Sequence, residues 1–243
     1  MSEGRIRQFD AHLDRFERSA DLLELPRPDR AAWRRCAELA AASCLERGEI
    51  SLTLVHTRGT DPEGSAPTAF AWGVPVSARR RDNRRNGISA ITLDRGDDPD
   101  RADAAPWLLR SAKTLSYATN MAALRHAGAR GADDAVFVTS GGAVLEGANS
   151  TVVAAFGRTL RTPPAVGGIL PGTTQAALFR AARRAGWEAV SAPLRVEDLR
   201  GADGLFLTSA THRITWVRTL DGTPMVDARA LGAELDALYD LEP

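Results

Sequence analysis

Lys113 is the single lysine in a chain whose 31 basic residues are otherwise all arginine. Arginine meets every general need for a surface cation, but its guanidinium stays protonated and cannot serve as an amine nucleophile. A lysine can form a Schiff base with a carbonyl once burial or a neighbouring cation frees its lone pair. Compositional drift from lysine to arginine is the plain alternative, and for Lys113 taken alone it is equally good. Three further stretches follow in order. Leu145-Glu146-Gly147-Ala148-Asn149-Ser150-Thr151-Val152 carries one carboxylate. Gly167-Gly168-Ile169-Leu170-Pro171-Gly172-Thr173-Thr174 is a glycine loop feeding a helical pattern. Phe206-Leu207-Thr208-Ser209-Ala210-Thr211 ends an apolar run in hydroxyls. The loop lacks the Gly-Lys-Ser/Thr ending of a nucleotide P-loop. What remains is a helix N-terminus whose free N–H groups and dipole bind an anion, with a tight Pro-Gly turn and an ordinary helix start as the alternative.

Together with Lys113-Thr114-Leu115-Ser116-Tyr117, these stretches resemble, in order and spacing, the class IV aminotransferase family of pyridoxal-phosphate enzymes. That family includes branched-chain and D-amino-acid aminotransferases and 4-amino-4-deoxychorismate lyase. The resemblance runs from about Phe9 to the end of the chain. It implies an α+β fold of type IV, two α/β subdomains with pyridoxal 5'-phosphate in the cleft between them. It implies Lys113 as the Schiff-base residue and as catalytic acid and base. Glu146 would pair with the pyridine nitrogen, because a carboxylate keeps that nitrogen protonated and the charged ring accepts electrons. Arg15, in His12-Leu13-Asp14-Arg15-Phe16, would reach the phosphate with a guanidinium fork; without the resemblance it is a solvated helix arginine. Gly172, Thr173 and Thr174 would cradle the phosphate, and Ser209 and Ala210 would supply a second contact. Ala210 falls where some members carry a hydroxyl, for which Ser209 or Thr211 compensates. Tyr117, one of two tyrosines, would bond the phenolate oxygen of the cofactor, with core packing as its alternative. Thr151 and Ser116 stand where the family usually has asparagine.

The elements that must position these residues are read from periodicity. Phe9, Leu13, Phe16, Ala20 and Leu23 form one helix face. A second helix begins at the cap Asp29, runs to Arg47, and turns Ala32, Cys36, Leu39, Ala40 and Leu45 inward. Strands are expected at 50–56, 69–76 and 88–93. Ala78 to Arg85 reads as a solvated connection rich in arginine, since no aromatic residue interleaves it as RNA binding would require. The polar segment Asp94 to Asp103 is the candidate linker. It divides a small N-terminal α/β domain, residues 1–100, from a larger cofactor-binding domain, 107–243, with the boundary near 95–106. Ser116 to Ala129 is a helix with Met121, Leu124 and Ala127 inward. Ser140-Gly141-Gly142 turns a hairpin that delivers Glu146. The glycine loop opens a helix to about Ala185. A strand at 214–217, a turn at Asp221-Gly222 and a helix from Asp227 to Tyr239 close the chain.

Formal net charge is zero, which removes any general electrostatic grip on nucleic acid or membrane. Cys36 and Cys44 lie in an alanine-rich helical pattern with no metal motif and read as reduced, small apolar residues. No apolar run reaches the roughly 18 residues of a membrane helix, and the N-terminal residues show no signal-peptide h-region. A cytoplasmic protein is expected, and the resemblance implies a homodimer acting on a small amine or amino acid. D-amino-acid aminotransferases of the family hold the substrate carboxylate with an arginine and a histidine shortly after a Thr-Arg-Gly segment. Here Thr57-Arg58-Gly59 is followed up to Phe70 by neither. A buried carboxylate without a partner is unfavourable, so the expectation is 4-amino-4-deoxychorismate lyase, which releases pyruvate to give 4-aminobenzoate for folate biosynthesis. Arg58, His212 or Arg213 would have to replace the missing trap in the alternative, an amino-acid aminotransferase of branched-chain or D-specific type. The chain starts almost at the helix bearing Arg15, where family members carry earlier strands. Either the start is truncated relative to the functional product or the N-terminal domain is genuinely shortened, and a pseudoenzyme or binding module is a further alternative.

Overall fold

The computed structural model describes residues 6–44, 48–60, 66–96, 105–165 and 168–242. Outside them lie the chain start, Leu45, the stretch 61–65 after Thr57-Arg58-Gly59, the body of the expected linker at 97–104, and Gly167. Two compact units divide at Ala78/Arg79.

In the first unit, α1 (Phe9–Leu22) and α2 (Arg30–Ala42) pack on a hairpin of β1 (Ile50–Thr57) and β2 (Thr68–Pro75). Asp29 caps α2 as expected, its carboxylate accepting from Ala31 and Ala32 N–H; such a cap contributes about 1 kcal/mol. The buried face of α2 differs from the expected one. Trp33, Ala37 and Ala41 turn inward, while Leu39 is 73% exposed. An alanine-rich helix is weakly apolar on several faces, and the largest side chain decides which is buried. Trp33 meets Phe16 edge to face at 4.9 Å and lies against His56, which is a packing histidine.

In the second unit, α3 (Ala78–Asn86) leads into β3 (Ile88–Asp94). There follow α4 (Ala118–Ala129), β4 (Asp134–Val138), β5 (Val144–Gly147), β6 (Thr151–Phe156), β7 (Thr159–Thr162), α5 (Thr173–Arg184), β8 (Glu188–Ser191), α6 (Val196–Arg200), β9 (Gly204–Ser209), β10 (Arg213–Leu220), β11 (Thr223–Pro224) and α7 (Arg229–Asp240). The sheet order is β5-β4-β3-β10-β9-β6-β7-β8, with β11 paired to β10. β3 runs parallel to both β4 and β10. That pairing is why residues 79–96 belong with the second unit, and why the division falls ahead of the polar segment expected to mark it.

Along β6 and β9, successive residues enter different cores. Val153, Ala155 and Phe206 meet α5 and α7 through Leu178, Ala182, Leu235 and Tyr239. Val152, Ala154, Leu205 and Leu207 face Val217 and Leu199. Two corrections concern helices. On α4 the buried residues are Ala123 and Ala127, and Met121 is half-exposed, because the helix rests on the sheet through its small residues. Ala78 to Arg85 joins two strands and has no buried residue, as expected, but it does so as helix α3, whose Arg84 donates twice to Thr211 O, at 3.0 and 2.6 Å. Arginine is a good helix former, and Arg80 and Arg84 share a face at i, i+4. Gly87 ends α3 at φ +72°, where a Cβ would meet the Trp216 ring at 2.5 Å.

Candidate active site

Lys113 lies in the irregular segment of turns and bends between a 3-10 turn at Pro106–Leu108 and α4. Its Nζ donates to Tyr117 Oη and stands 4.9 Å from the Tyr117 ring centroid. Tyr117 is the residue before the first turn of α4, so the helix start fixes the phenol beside the amine. One turn on, Asn120 Nδ2 donates to Ala148 O and ties α4 to the Glu146 motif. Lys113 is exposed among the residues described.

Glu146 stands near the end of β5, where Gly147 N–H closes a tight turn onto Ser150 O. Its Oε1 accepts from Arg95 Nη1 at 3.0 Å and its Oε2 from Leu170 N–H at 3.2 Å. Burial pushes the carboxyl up to about 7, against the opposing pull of Arg95, the Leu170 amide and the Lys113 ammonium. Lys113 is therefore near enough to be felt by this carboxylate, and Leu170 brings the glycine loop to it.

The loop ends at Gly172, which caps α5 in an extended conformation with no side-chain cap. No acidic residue occupies the first turn, and Thr173 and Thr174 are buried there. The N-terminal amides of α5 thus keep the character of an anion site. A Cβ on Gly172 would fall 2.2 Å from Thr151 Oγ1, so only glycine fits. Thr151 pairs in register with Thr208 on β9, which sets the 209–211 turn beside the start of α5.

Behind that turn is a buried network. Ser209 Oγ is 2.8 Å from His212 Nδ1 and accepts from His212 N–H at 3.1 Å, and His212 Nε2 is 2.9 Å from Asp134 Oδ2. Burial holds the His212 imidazole below its usual pKa, with Arg80 and Arg84 acting in the same direction and Asp134 opposing. The neutral ring then donates from Nε2 to Asp134 and accepts at Nδ1 from the Ser209 hydroxyl. Arg80 also touches Nε2. Since both groups are donors, Arg80 is held there by attraction to Asp134. Arg213 is committed to α7, with three bonds to Asp236 and one to Asp240. Ala210 is exposed, and Arg15 lies partly buried on α1 of the first unit. Arg95 and the Asp134–His212 pair were not expected from sequence. Arg95 sits in the polar segment read as linker, and among thirty arginines nothing local distinguishes it.

An amine, a doubly held carboxylate and an uncapped helix start fit a pyridine aldehyde that bears a phosphate. The chain belongs to the class IV aminotransferases, whose family model, amino-transferase class IV, matches residues 1–220. It is 48% identical over 233 residues to the bifunctional aminodeoxychorismate lyase / D-amino acid transaminase of Mycobacterium tuberculosis, covering 91% of this chain and 80% of that one. A hypothetical aminotransferase from M. tuberculosis superposes with a TM-score of 0.93 in two forms. Its PLP-bound form is 46% identical, covering 99% of this chain and 86% of that one. Its alpha-ketoglutarate and PMP bound form is 47% identical, covering 98% and 85%.

Proposed function

We propose that the chain is a pyridoxal-phosphate enzyme whose reaction converts 4-amino-4-deoxychorismate to 4-aminobenzoate and pyruvate. The observation that supports this reading most is the pairing of a lone lysine amine with a buried carboxylate near enough to feel its charge. Bound there, pyridoxal phosphate supplies an electron sink for the bond broken next to the substrate amine. Lys113 Nζ is the attachment point and then carries the proton that moves during the reaction. Tyr117 Oη orients that amine. Glu146 holds a proton at the ring nitrogen, and the amides of Gly172, Thr173 and Thr174 bind the phosphate. Arg15, Ser209 and Ala210 are carried as further phosphate contacts, the last two through the turn that His212 and Arg84 brace. In this reading residues 107–243 are the cofactor-binding part, joined by β3.

Two of the three candidates for an amino-acid carboxylate anchor are committed to protein carboxylates. His212 is buried against Asp134, and Arg213 is held by Asp236 and Asp240. The third, Arg58, donates to Leu23 O. This weighs toward a substrate whose reacting amine is not next to a carboxylate. Transamination of D-amino acids is the second reading, favoured by the other half of the name of the M. tuberculosis relative. Purified protein given aminodeoxychorismate is expected to release 4-aminobenzoate. Transamination of L- or D-amino acids with 2-oxoglutarate, and no 4-aminobenzoate, would replace the lyase by the aminotransferase. A homodimer is proposed from the family resemblance, and sedimentation showing only monomer at high concentration would remove it. A cytoplasmic place in folate biosynthesis goes with the lyase reading. Among the described residues no helix is long and apolar enough to cross a membrane.

A further inference from the structure

Arg95 follows β3 directly, and its amide donates to Val138 O at 3.0 Å, fixing the backbone beside β4. Its side chain lies on Glu146, with the arginine 11% and the glutamate 18% exposed. Since Leu170 N–H holds the other oxygen, both carboxylate oxygens accept from the protein, and an oxygen with one such donor keeps a lone pair for a further partner. Among the described residues, the charged groups that act on Glu146 are Arg95 and Lys113.

A pyridine nitrogen placed against a buried carboxylate competes with it for one proton. Burial alone makes Glu146 a stronger base than an ordinary carboxylate, which would leave the proton on the glutamate and the ring neutral. A neutral ring is a poor electron sink. A guanidinium in contact with the carboxylate favours its ionised form, and it acts less on a partner bound beyond that carboxylate. We propose that Arg95 is a positioning residue that opposes burial at Glu146, drawing the carboxyl toward its ionised form, and thereby favours the shared proton on the ring nitrogen of the cofactor. The assignment rests on the reading of Glu146 as the ring-nitrogen partner. An arginine suits the task because it never gives up its own proton and its fork fixes the carboxylate plane.

The test uses the full chain with Arg95→Met and Arg95→Lys. In the first arm, without cofactor, infrared difference spectra against Glu146→Gln follow the Glu146 carboxyl through a pH titration. The midpoint is expected to rise by about one pH unit or more in Arg95→Met and to return most of the way in Arg95→Lys. In the second arm, chains loaded with pyridoxal phosphate labelled with nitrogen-15 in the ring are read by the nitrogen chemical shift. Wild type and Arg95→Lys are expected to show a protonated ring, and Arg95→Met a shift toward neutral pyridine. An unmoved Glu146 midpoint, or a ring still protonated in Arg95→Met, overturns the proposal. If Arg95→Met fails to fold, Arg95→Gln carries the same two readouts, and no change from wild type in it would overturn the proposal equally. A wild-type chain that takes up no cofactor on Lys113 overturns the cofactor reading and the proton assignment with it, while the first arm still decides whether Arg95 governs Glu146.

Discussion

At the scale of single residues, the site sets burial against charge at Glu146. The folded chain holds a proton on this carboxyl up to about pH 7, whereas its ordinary value is 4.5. Between those values the folded state binds a proton that the unfolded chain has released. The stability this contributes is present below about pH 4.5 and is lost as pH rises through about 7. At about 1.4 kcal/mol per pH unit its ceiling is about 3 to 4 kcal/mol. Glu146→Gln is expected to flatten that part of the curve, read by urea unfolding of cofactor-free protein at pH 5 and pH 8. A variant whose stability falls as steeply as wild type would remove the effect. With cofactor the same variant is expected to lose about 100-fold or more in turnover, the usual loss for a group that stabilises developing charge. Lys113 gives a more direct outcome. Borohydride reduction and peptide mapping should place the pyridoxyl group on Lys113, and Lys113→Ala should carry none, since no other side-chain amine exists. Colour and label retained in that variant would exclude Lys113 as the attachment point.

At the scale of elements, the start of α5 is built by a neighbour rather than by its own cap. Gly172 is required by the Thr151 hydroxyl from β6, not by its backbone angles, which any residue adopts. Gly172→Ala is expected to destabilise the chain by about 1–3 kcal/mol, the range for forcing a methyl into a packed site. It should also weaken cofactor binding, because the amides it displaces are those proposed to bind the phosphate. Removing the obstruction in Gly172→Ala with Thr151→Ala should recover most of the stability. Equal stability of the single and double variants would show that the contact is relieved elsewhere. Helix α3 works in a comparable way at the 209–212 turn. Its Arg80 and Arg84 reach the 209–212 turn, so an arginine run that looks solvated in one dimension braces a buried histidine in three.

At the scale of the whole molecule, the two units differ in how their backbones are covered. In the second, β6 and β9 are central and buried on both faces. In the first, β1 and β2 form a two-stranded sheet, and Phe70, Trp72 and Val74 on β2 are each at least 40% exposed. Amide hydrogen exchange is expected to be slowest in β6 and β9 and to be faster by orders of magnitude in β2, because local opening follows burial and pairing. Comparable protection in β2 and β9 would contradict this.

Residue type and order along the chain determined the chemistry, because it depends on functional groups that appear as letters. A lone amine, a carboxylate after a hairpin and a glycine loop before a helix could be read without coordinates, as could α1, the cap at Asp29 and the closing helix. The strands β6 and β9 were not readable as strands, since burial on both faces replaces alternation by a continuous apolar run. The inward face of α2 was misread for a related reason, alanine on several faces leaving the choice to Trp33. Tertiary structure alone decided the partners. Arg95 reaches Glu146 across 51 positions of sequence and His212 reaches Asp134 across 78. Nothing local marks such pairs, because a charge is selected by what lies beside it in the folded sheet, and the parallel pairing of β3 with β4 and β10 is what puts Arg95 there.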